Sequence, residues 1–289
     1  MSGETRVVVS RASLRAAYDA LAPRTRRAVV TTMGSLHEGH ATLVREARRL
    51  VGPDGHVTVT IFVNPTQFGP QEDLARYPRS LESDVEMCAH EGADVVFAPT
   101  ADVVYRDGGP DVVTVDPGPL ATVLEGAVRP GHFRGVLTVV HKLLCLTGAH
   151  HAMFGEKDYQ QLVLVRRMVR DLDLDTEIVG VPTVRAKDGL ALSSRNAYLS
   201  PADRHLALVV PQAIEVGRTI ARTGGGAVDV VRAVQQFLDD HDVVADYAAV
   251  TDPELGPSPV TGEARLLVAV RVGDVRLIDN DRLDLGAPA

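Results

Sequence analysis

The sequence predicts an α/β protein built on a doubly wound parallel sheet, with a smaller α+β domain at its C-terminal end. Three observations carry this. Apolar strand-like runs alternate with helix-period runs through the first two thirds of the chain. The strand-like runs are apolar almost throughout, as in Val57-Thr58-Val59-Thr60-Ile61-Phe62-Val63, which suits strands covered on both faces. After about residue 185 the pattern changes to long helices followed by closely spaced strands. Together they describe a Rossmann-like domain over residues 1–185 and a C-terminal lid domain over 186–289, divided near Lys187-Asp188-Gly189.

In chain order, strands are expected at 28–32, 57–63, 95–98, 152–154 and 177–181. Between them, Leu43, Ala47 and Leu50 mark one helix face; Leu81, Val85 and Cys88 mark another. Val136, Val139, Val140 and Leu143 mark a third, and Leu162, Val165, Met168 and Val169 a fourth. In the second domain a helical run over 202–222 is interrupted by Pro211. A linker-like Gly224-Gly225-Gly226 and a helix to about 240 follow. Strands are expected at 247–250, 266–272 and 275–278, the last two joined through a two-residue turn at Gly273-Asp274.

The 289 residues are 45% apolar and 24% charged, ordinary for a globular chain, with ample length for a buried core. A net charge of −8 argues against general affinity for nucleic acid or anionic membranes, so any polyphosphate site has to be locally concentrated. Cys88 and Cys145 sit in apolar helical patterns and read as small buried hydrophobes in a reducing compartment. No apolar leader and no run approaching about 18 uncharged residues is present, and a cytoplasmic location is expected.

Four clusters could carry chemistry. Met33-Gly34-Ser35-Leu36-His37-Glu38-Gly39-His40 directly follows the first apolar strand and opens a helix. Backbone N–H groups and the positive end of the helix dipole make such a place suited to polyphosphate, and His37 and His40, three apart, can share a face. His-x-x-His also fits a metal pair or two surface histidines. Asn64-Pro65-Thr66-Gln67-Phe68 and Tyr77-Pro78-Arg79 follow the second strand, and amides there suit hydroxyl and carboxylate groups of a small ligand. Phe154-Gly155-Glu156-Lys157-Asp158-Tyr159-Gln160-Gln161 is again a strand end running into a helix; Lys157 suits phosphate, and Asp158 can cap a helix or help to hold a metal. Leu192-Ser193-Ser194-Arg195-Asn196 brings hydroxyls and a guanidinium into one loop, matched to a triphosphate. The P-loop, dinucleotide fingerprint, zincin and nucleophile-elbow motifs are absent from the sequence.

His37-Glu38-Gly39-His40 resembles the HIGH signature of the nucleotidylyl transferase superfamily, and Leu192-Ser193-Ser194-Arg195 resembles its KMSKS-like signature. The full set of motifs, in order, resembles the pantoate–β-alanine ligase family over nearly the whole chain. The resemblance implies ATP- and Mg²⁺-dependent condensation of pantoate with β-alanine through a pantoyl adenylate, with release of AMP and pyrophosphate, by a cytoplasmic homodimer. It implies an ATP site lined by Met33, Gly34, Ser35, Leu36, His37, Glu38, Gly39, His40, Gly155, Glu156, Lys157, Asp158, Val184, Leu192, Ser193, Ser194 and Arg195. His40, His37, Lys157 and Arg195 would be catalytic, His40 as the general acid. Gln67 and Gln161 would hold pantoate, Asn64 and Tyr77 would complete the pocket, and Asp84 would lie near the metal and phosphates.

Three positions depart from the family pattern: Thr32 where proline is usual, Thr66 where methionine is usual, and Leu192 where methionine usually precedes Ser-Ser-Arg. None removes a charged or proton-carrying group. Two other readings fit the histidine pair: transfer of a nucleotide to a phosphorylated acceptor, and a non-catalytic nucleotide-binding module. The amide-rich pocket residues favour a carboxylate-and-hydroxyl substrate over a phosphorylated one.

Overall fold

The computed structural model describes residues 5–70, 73–106 and 112–286. The chain divides into two compact units. One comprises residues 1–156 and 164–182, the other residues 157–163 and 183–289.

The first unit holds six strands: β1 (Arg6–Val8), β2 (Arg27–Thr32), β3 (His56–Ile61), β4 (Val95–Phe97), β5 (His151–Gly155) and β6 (Glu177–Val181). They form one sheet in the order β1-β4-β3-β2-β5-β6, with every pair parallel. The order reverses between β2 and β5, the topological switch point at which a doubly wound sheet opens a crevice beyond its carboxyl ends. Its helices are α1 (Arg11–Asp19), α2 (Glu38–Val51), α3 (Leu81–His90), α4 (Ala101–Tyr105), α5 (Glu125–Val128) and α6 (His132–Thr147), with the part of α7 (Tyr159–Asp171) from residue 164 on; the first turn of α7 belongs to the second unit.

Alternation along the strands assigns the two faces. Ala28, Val30, Val57 and Val59 pack with Leu43, Val44, Ala47 and Val51 of α2 in one buried cluster. Residues of β3 one step out of phase face α1, where Tyr18 and Thr58 are joined through their hydroxyls at 2.9 Å.

In the second unit, strands β7 (Ala245–Thr251), β8 (Gly262–Val272) and β9 (Val275–Leu285) form an antiparallel sheet in sequence order. Val272 pairs with Val275 across the expected Gly273-Asp274 turn. Helices α8 (Pro201–Leu206), α9 (Val209–Arg222) and α10 (Ala227–Asp239) accompany it, and Val210, Ile214, Val230, Val234 and Leu238 pack with Leu266, Val268 and Val270 to make the core.

Several expectations are corrected. The chain contributes a sixth strand, β1, only three residues long and with only its last residue buried. β3 stops at Ile61, two residues before the expected end, because the chain turns at Asn64-Pro65 into a 3₁₀ turn over Pro65–Gln67. The expected 202–222 helix is two helices; the break falls at Ala207-Leu208, and Pro211 sits in the first turn of α9, where its missing N–H costs no helix bond. The glycine triplet is a tight connection from α9 to α10. The last strand runs seven residues beyond Ile278, and Cys145 is exposed although Cys88 is buried.

Candidate active site

The carboxyl ends of β3, β2 and β5, neighbours in the sheet, release the first three motifs. After β2 the backbone makes a left-handed pair, Gly34 at φ 83° and Ser35 at φ 53°. A Cβ on residue 34 would lie 3.0 Å from the Asp84 carboxylate and 3.1 Å from Ile61, so glycine is required by conformation and by space. Thr32 ties this turn down. Its hydroxyl donates to the Thr60 carbonyl at 2.7 Å and accepts from the Gly34 N–H at 3.2 Å.

His37 is the N-cap of α2. Its Nδ1 accepts the Gly39 N–H at 3.1 Å, while His40 Nδ1 accepts the His37 N–H at 3.3 Å. The rings lie 4.2 Å apart between centroids. A backbone N–H only donates, so each Nδ1 is an acceptor and, in the neutral imidazole, the proton is on Nε2. Local backbone thus selects the same tautomer for both neutral rings, with the proton on Nε2, at a helix N-terminus, a place suited to phosphate oxygens.

Asp84 is 2% exposed. Its two carboxylate oxygens accept the N–H groups of Ser35 and Leu36, both at 2.8 Å, and Oδ1 also accepts the Ser80 hydroxyl at 3.1 Å. The carboxylate is directed at the turn that carries the histidines, not presented as an open ligand. Among the described residues no three of the His, Cys, Asp and Glu side chains gather as a metal-binding group.

The 3₁₀ turn after β3 is capped by Asn64, and α6 packs directly on it. A Cβ at Gly135 of α6 would fall 2.3 Å from the Thr66 carbonyl, so glycine permits this approach. Gln67 is half-buried, its Nε2 3.2 Å from Met33 Sδ, which places the second motif against the first. Its carbonyl accepts His132 Nδ1–H at 2.9 Å. Tyr77 is buried edge-on to Phe68, with ring centroids 5.9 Å apart. Asn64, expected to line the pocket, is 1% exposed and lies behind Gln67. Gly155 closes β5, and a Cβ there would meet no protein atom, leaving space over the strand end.

In the second unit, Lys157 and Asp158 form an ion pair at 3.6 Å, and the Lys157 carbonyl accepts Asn280 Nδ2–H at 2.8 Å. Asn280 is itself set by Arg265, whose Nε donates to its Oδ1 at 2.8 Å while the guanidinium lies 3.9 Å from the Tyr159 ring centroid. Gln161 is half-buried on the first turn of α7. Val184 and Leu192 face each other in a narrow hairpin, Leu192 N–H donating to the Val184 carbonyl at 2.9 Å. Arg185 of that hairpin grips the buried Asp279 through two bonds of 2.6 and 2.9 Å. Burial would disfavour the charge, but the carboxylate's hydrogen bonds raise the Arg185 guanidinium further above its ordinary value. The hairpin delivers Ser193, which caps a 3₁₀ turn by accepting Arg195 N–H at 3.3 Å and so fixes the Ser194-Arg195 backbone.

Sequence reasoning missed Tyr105, Arg185, Arg265, Asp279 and Asn280. The signal present was a run of polar residues, Asp279-Asn280-Asp281, inside a strand otherwise built around a buried core.

The description pantoate-beta-alanine ligase belongs to the family model that matches residues 6–282. The pantothenate synthetase of Saccharopolyspora erythraea is 55% identical over 89% of this chain and 84% of its own. That of Mycolicibacterium smegmatis is 52% identical over 100% of this chain and 90% of its own. Among solved structures, a pantothenate synthetase from Thermus thermophilus superposes with a TM-score of 0.88 at 50% identity, covering 96% of this chain and 99% of that one. The Francisella tularensis pantoate-beta-alanine ligase, complexed with beta-gamma ATP and beta-alanine, gives 0.79 at 32% identity, covering 96% and 97%. With a matching fold, the motifs at the strand ends and a family match over nearly its whole length, the chain belongs to the pantoate–β-alanine ligase family.

Proposed function

We propose that the pantoate–β-alanine ligase activity of this chain is carried by the residues gathered after β2, β3 and β5 together with Lys157, Asp158, Gln161, Val184 and Leu192 to Arg195. As a member of its family the chain condenses pantoate with β-alanine using ATP, through a pantoyl adenylate, and releases AMP and pyrophosphate. The observation that carries the assignment of roles is the pair of histidines at the start of α2, each accepting a backbone N–H at Nδ1, with the Gln67 amide against Met33 of the same motif.

A carboxylate acylates poorly because oxide would have to leave, so activation comes first. A pantoate carboxylate oxygen attacks the α-phosphorus in line, and the bond to the bridging oxygen of pyrophosphate breaks. Positioning and charge stabilisation dominate such a step. We assign His37 and His40 as donors to phosphate oxygens, with His40 as general acid, and Lys157 and Arg195 as the cations that offset the leaving charge. Met33 to Leu36, Glu38, Gly39, Gly155 and Glu156 complete the nucleotide-facing backbone. Gln67 and Gln161 hold pantoate, bordered by Tyr77. In the second step the neutral amine of β-alanine attacks the acyl carbon and AMP leaves. The mixed anhydride must be kept from water, a requirement that a C-terminal lid carrying Ser193 to Arg195 would meet.

Mg²⁺ enters in this account with the nucleotide and supplies charge neutralisation on the phosphates; no side chain of this protein is assigned as its ligand. We infer a homodimer from the family resemblance, which light scattering on the purified protein checks. A cytoplasmic location suits the free cysteines and the small polar substrates; no helix among the described residues is long and apolar enough to cross a membrane. The experiment for the assignment is turnover of His40→Ala and Lys157→Ala. Each should fall by about a hundredfold or more, and near-normal turnover in both would overturn it.

A further inference from the structure

Behind Gln67 lies a buried hydrogen-bond chain that ends at Tyr105. Asn64 Oδ1 accepts the Tyr105 hydroxyl at 2.5 Å, the Thr66 hydroxyl at 2.9 Å and the Thr66 backbone N–H at 3.3 Å. Asn64 Nδ2 donates to the Gly135 carbonyl at 3.2 Å and to Gln67 Oε1 at 3.0 Å. The backbone contacts decide which end of the Asn64 amide is which. A backbone N–H can only donate and a backbone carbonyl can only accept, so oxygen faces Thr66 and nitrogen faces Gly135. A donor at Nδ2 in turn requires an acceptor from Gln67, which fixes its oxygen toward Asn64 and its NH₂ away from it. That NH₂ meets the sulfur of Met33 at 3.2 Å, a weak acceptor that a carboxylate or hydroxyl oxygen would outcompete.

We propose that Tyr105, acting through Asn64, is a positioning residue that holds the Gln67 amide with its NH₂ turned to the hydroxy-acid substrate, and thereby sets affinity for that substrate.

Tyr105 is suited to the task. It is 3% exposed at the end of α4, so its hydroxyl faces little competition from water. Burial pushes the phenol above its ordinary value, which keeps the donor proton in place across the working pH range. Thr66 supplies the second hydroxyl on the same oxygen and lies 3.2 Å from the Tyr105 hydroxyl. The chain runs in one direction: the Thr66 and Gly135 backbone sets which end of the Asn64 amide is oxygen, the Tyr105 and Thr66 hydroxyls hold that oxygen in place, Asn64 orients Gln67, and Gln67 presents two N–H donors. With the amide turned over, its oxygen would face the substrate's own oxygens.

The proposal rests on the reading that Gln67 holds pantoate, and a double-mutant cycle separates the two. Steady-state constants for pantoate, ATP and β-alanine are measured for the wild type, Tyr105→Phe, Gln67→Ala and the double variant. Tyr105→Phe keeps the ring and removes one hydrogen bond, so it should raise the KM for pantoate about tenfold while the KM for ATP stays within about twofold. In the Gln67→Ala background the same change should add less than about twofold, because its effect passes through the missing amide. Thr66→Val, which removes the partner hydroxyl at an exposed position, should move the pantoate KM in the same direction by a smaller factor and serves if Tyr105→Phe does not fold. An unchanged pantoate KM in the hydroxyl variant that folds, an equal effect in both backgrounds, or a parallel rise in the ATP KM would overturn the positioning role. An unchanged pantoate KM in Gln67→Ala would instead overturn the reading on which the proposal rests.

Discussion

The Asp84 carboxylate accepts the backbone N–H of Ser35 at 2.8 Å across 49 residues of sequence, and with its other oxygen it takes the N–H of Leu36 at the same distance. Ser35 is a non-glycine residue at φ 53°, a conformation that costs free energy and persists when its surroundings hold it. One buried side chain of α3 therefore fixes the turn that aims both histidines.

Removing that carboxylate should loosen the turn without touching ATP directly. Asp84→Ala strands two inward N–H groups, a loss of about 2 to 3 kcal/mol for bonds to a charged acceptor. We expect a lowered melting temperature and at least about a tenfold fall in kcat/KM for ATP. An unchanged kcat/KM would show that the turn holds itself.

Asn280 supports Lys157 through the Lys157 backbone carbonyl. Asn280→Ala should lower kcat by about tenfold, roughly the worth of one net hydrogen bond, and leave the pantoate KM near its wild-type value. Steady-state kinetics with pantoate as the varied substrate gives both numbers.

Asp279 and Arg185 form a bidentate pair in which the carboxylate is 1% exposed and the guanidinium 29%. Asp279→Asn leaves a largely buried cation with half its partner. The expected destabilisation is about 2 to 4 kcal/mol, below the fully buried case because Arg185 keeps some water. Chemical denaturation with a two-state fit in the second unit's transition checks it.

His56 is buried at the start of β3, beside Tyr18 and near Asp94. Burial lowers its pKa most; Asp94 works in the opposite direction, while Arg48 and Arg27 lower it further. With the folded value below the unfolded 6.5, the unfolded chain binds more protons once pH falls beneath about 6.5. The contribution is complete above that value and declines through the interval down to the lowered folded value. His56→Gln should flatten this acid-side loss when unfolding free energies at pH 7.5 and 5 are compared; an equal slope in the variant would contradict the assignment.

Much of the fold was legible because the first unit's strands are apolar on both faces and because its helices are amphipathic. β1 escaped because it is only three residues long, and its short apolar run, Val7-Val8-Val9, is too brief to show a strand period. The split between α8 and α9 escaped because apolar periodicity continues across Ala207-Leu208, and only the backbone reveals the break. At the site, the residues proposed to meet ligand lie in short contiguous motifs that stand out in the sequence. Those that orient them do not. Tyr105 is 41 residues from Asn64 and Asn280 is 123 from Lys157, and a hydrogen bond across such a separation leaves no periodic trace. Asp84 was expected near the metal and phosphates; its two bonds to backbone N–H groups of the histidine turn are a matter of geometry that residue type alone does not specify.

The central claim, that ATP activates a carboxylate before the amine reacts, is tested most directly by pyrophosphate exchange. With ATP, Mg²⁺ and pantoate but no amine, labelled pyrophosphate should enter ATP, and later addition of β-alanine should release AMP and pantothenate in equal amounts. Absence of pantoate-dependent exchange from folded protein that still binds ATP, with no AMP on adding β-alanine, would contradict the adenylate route.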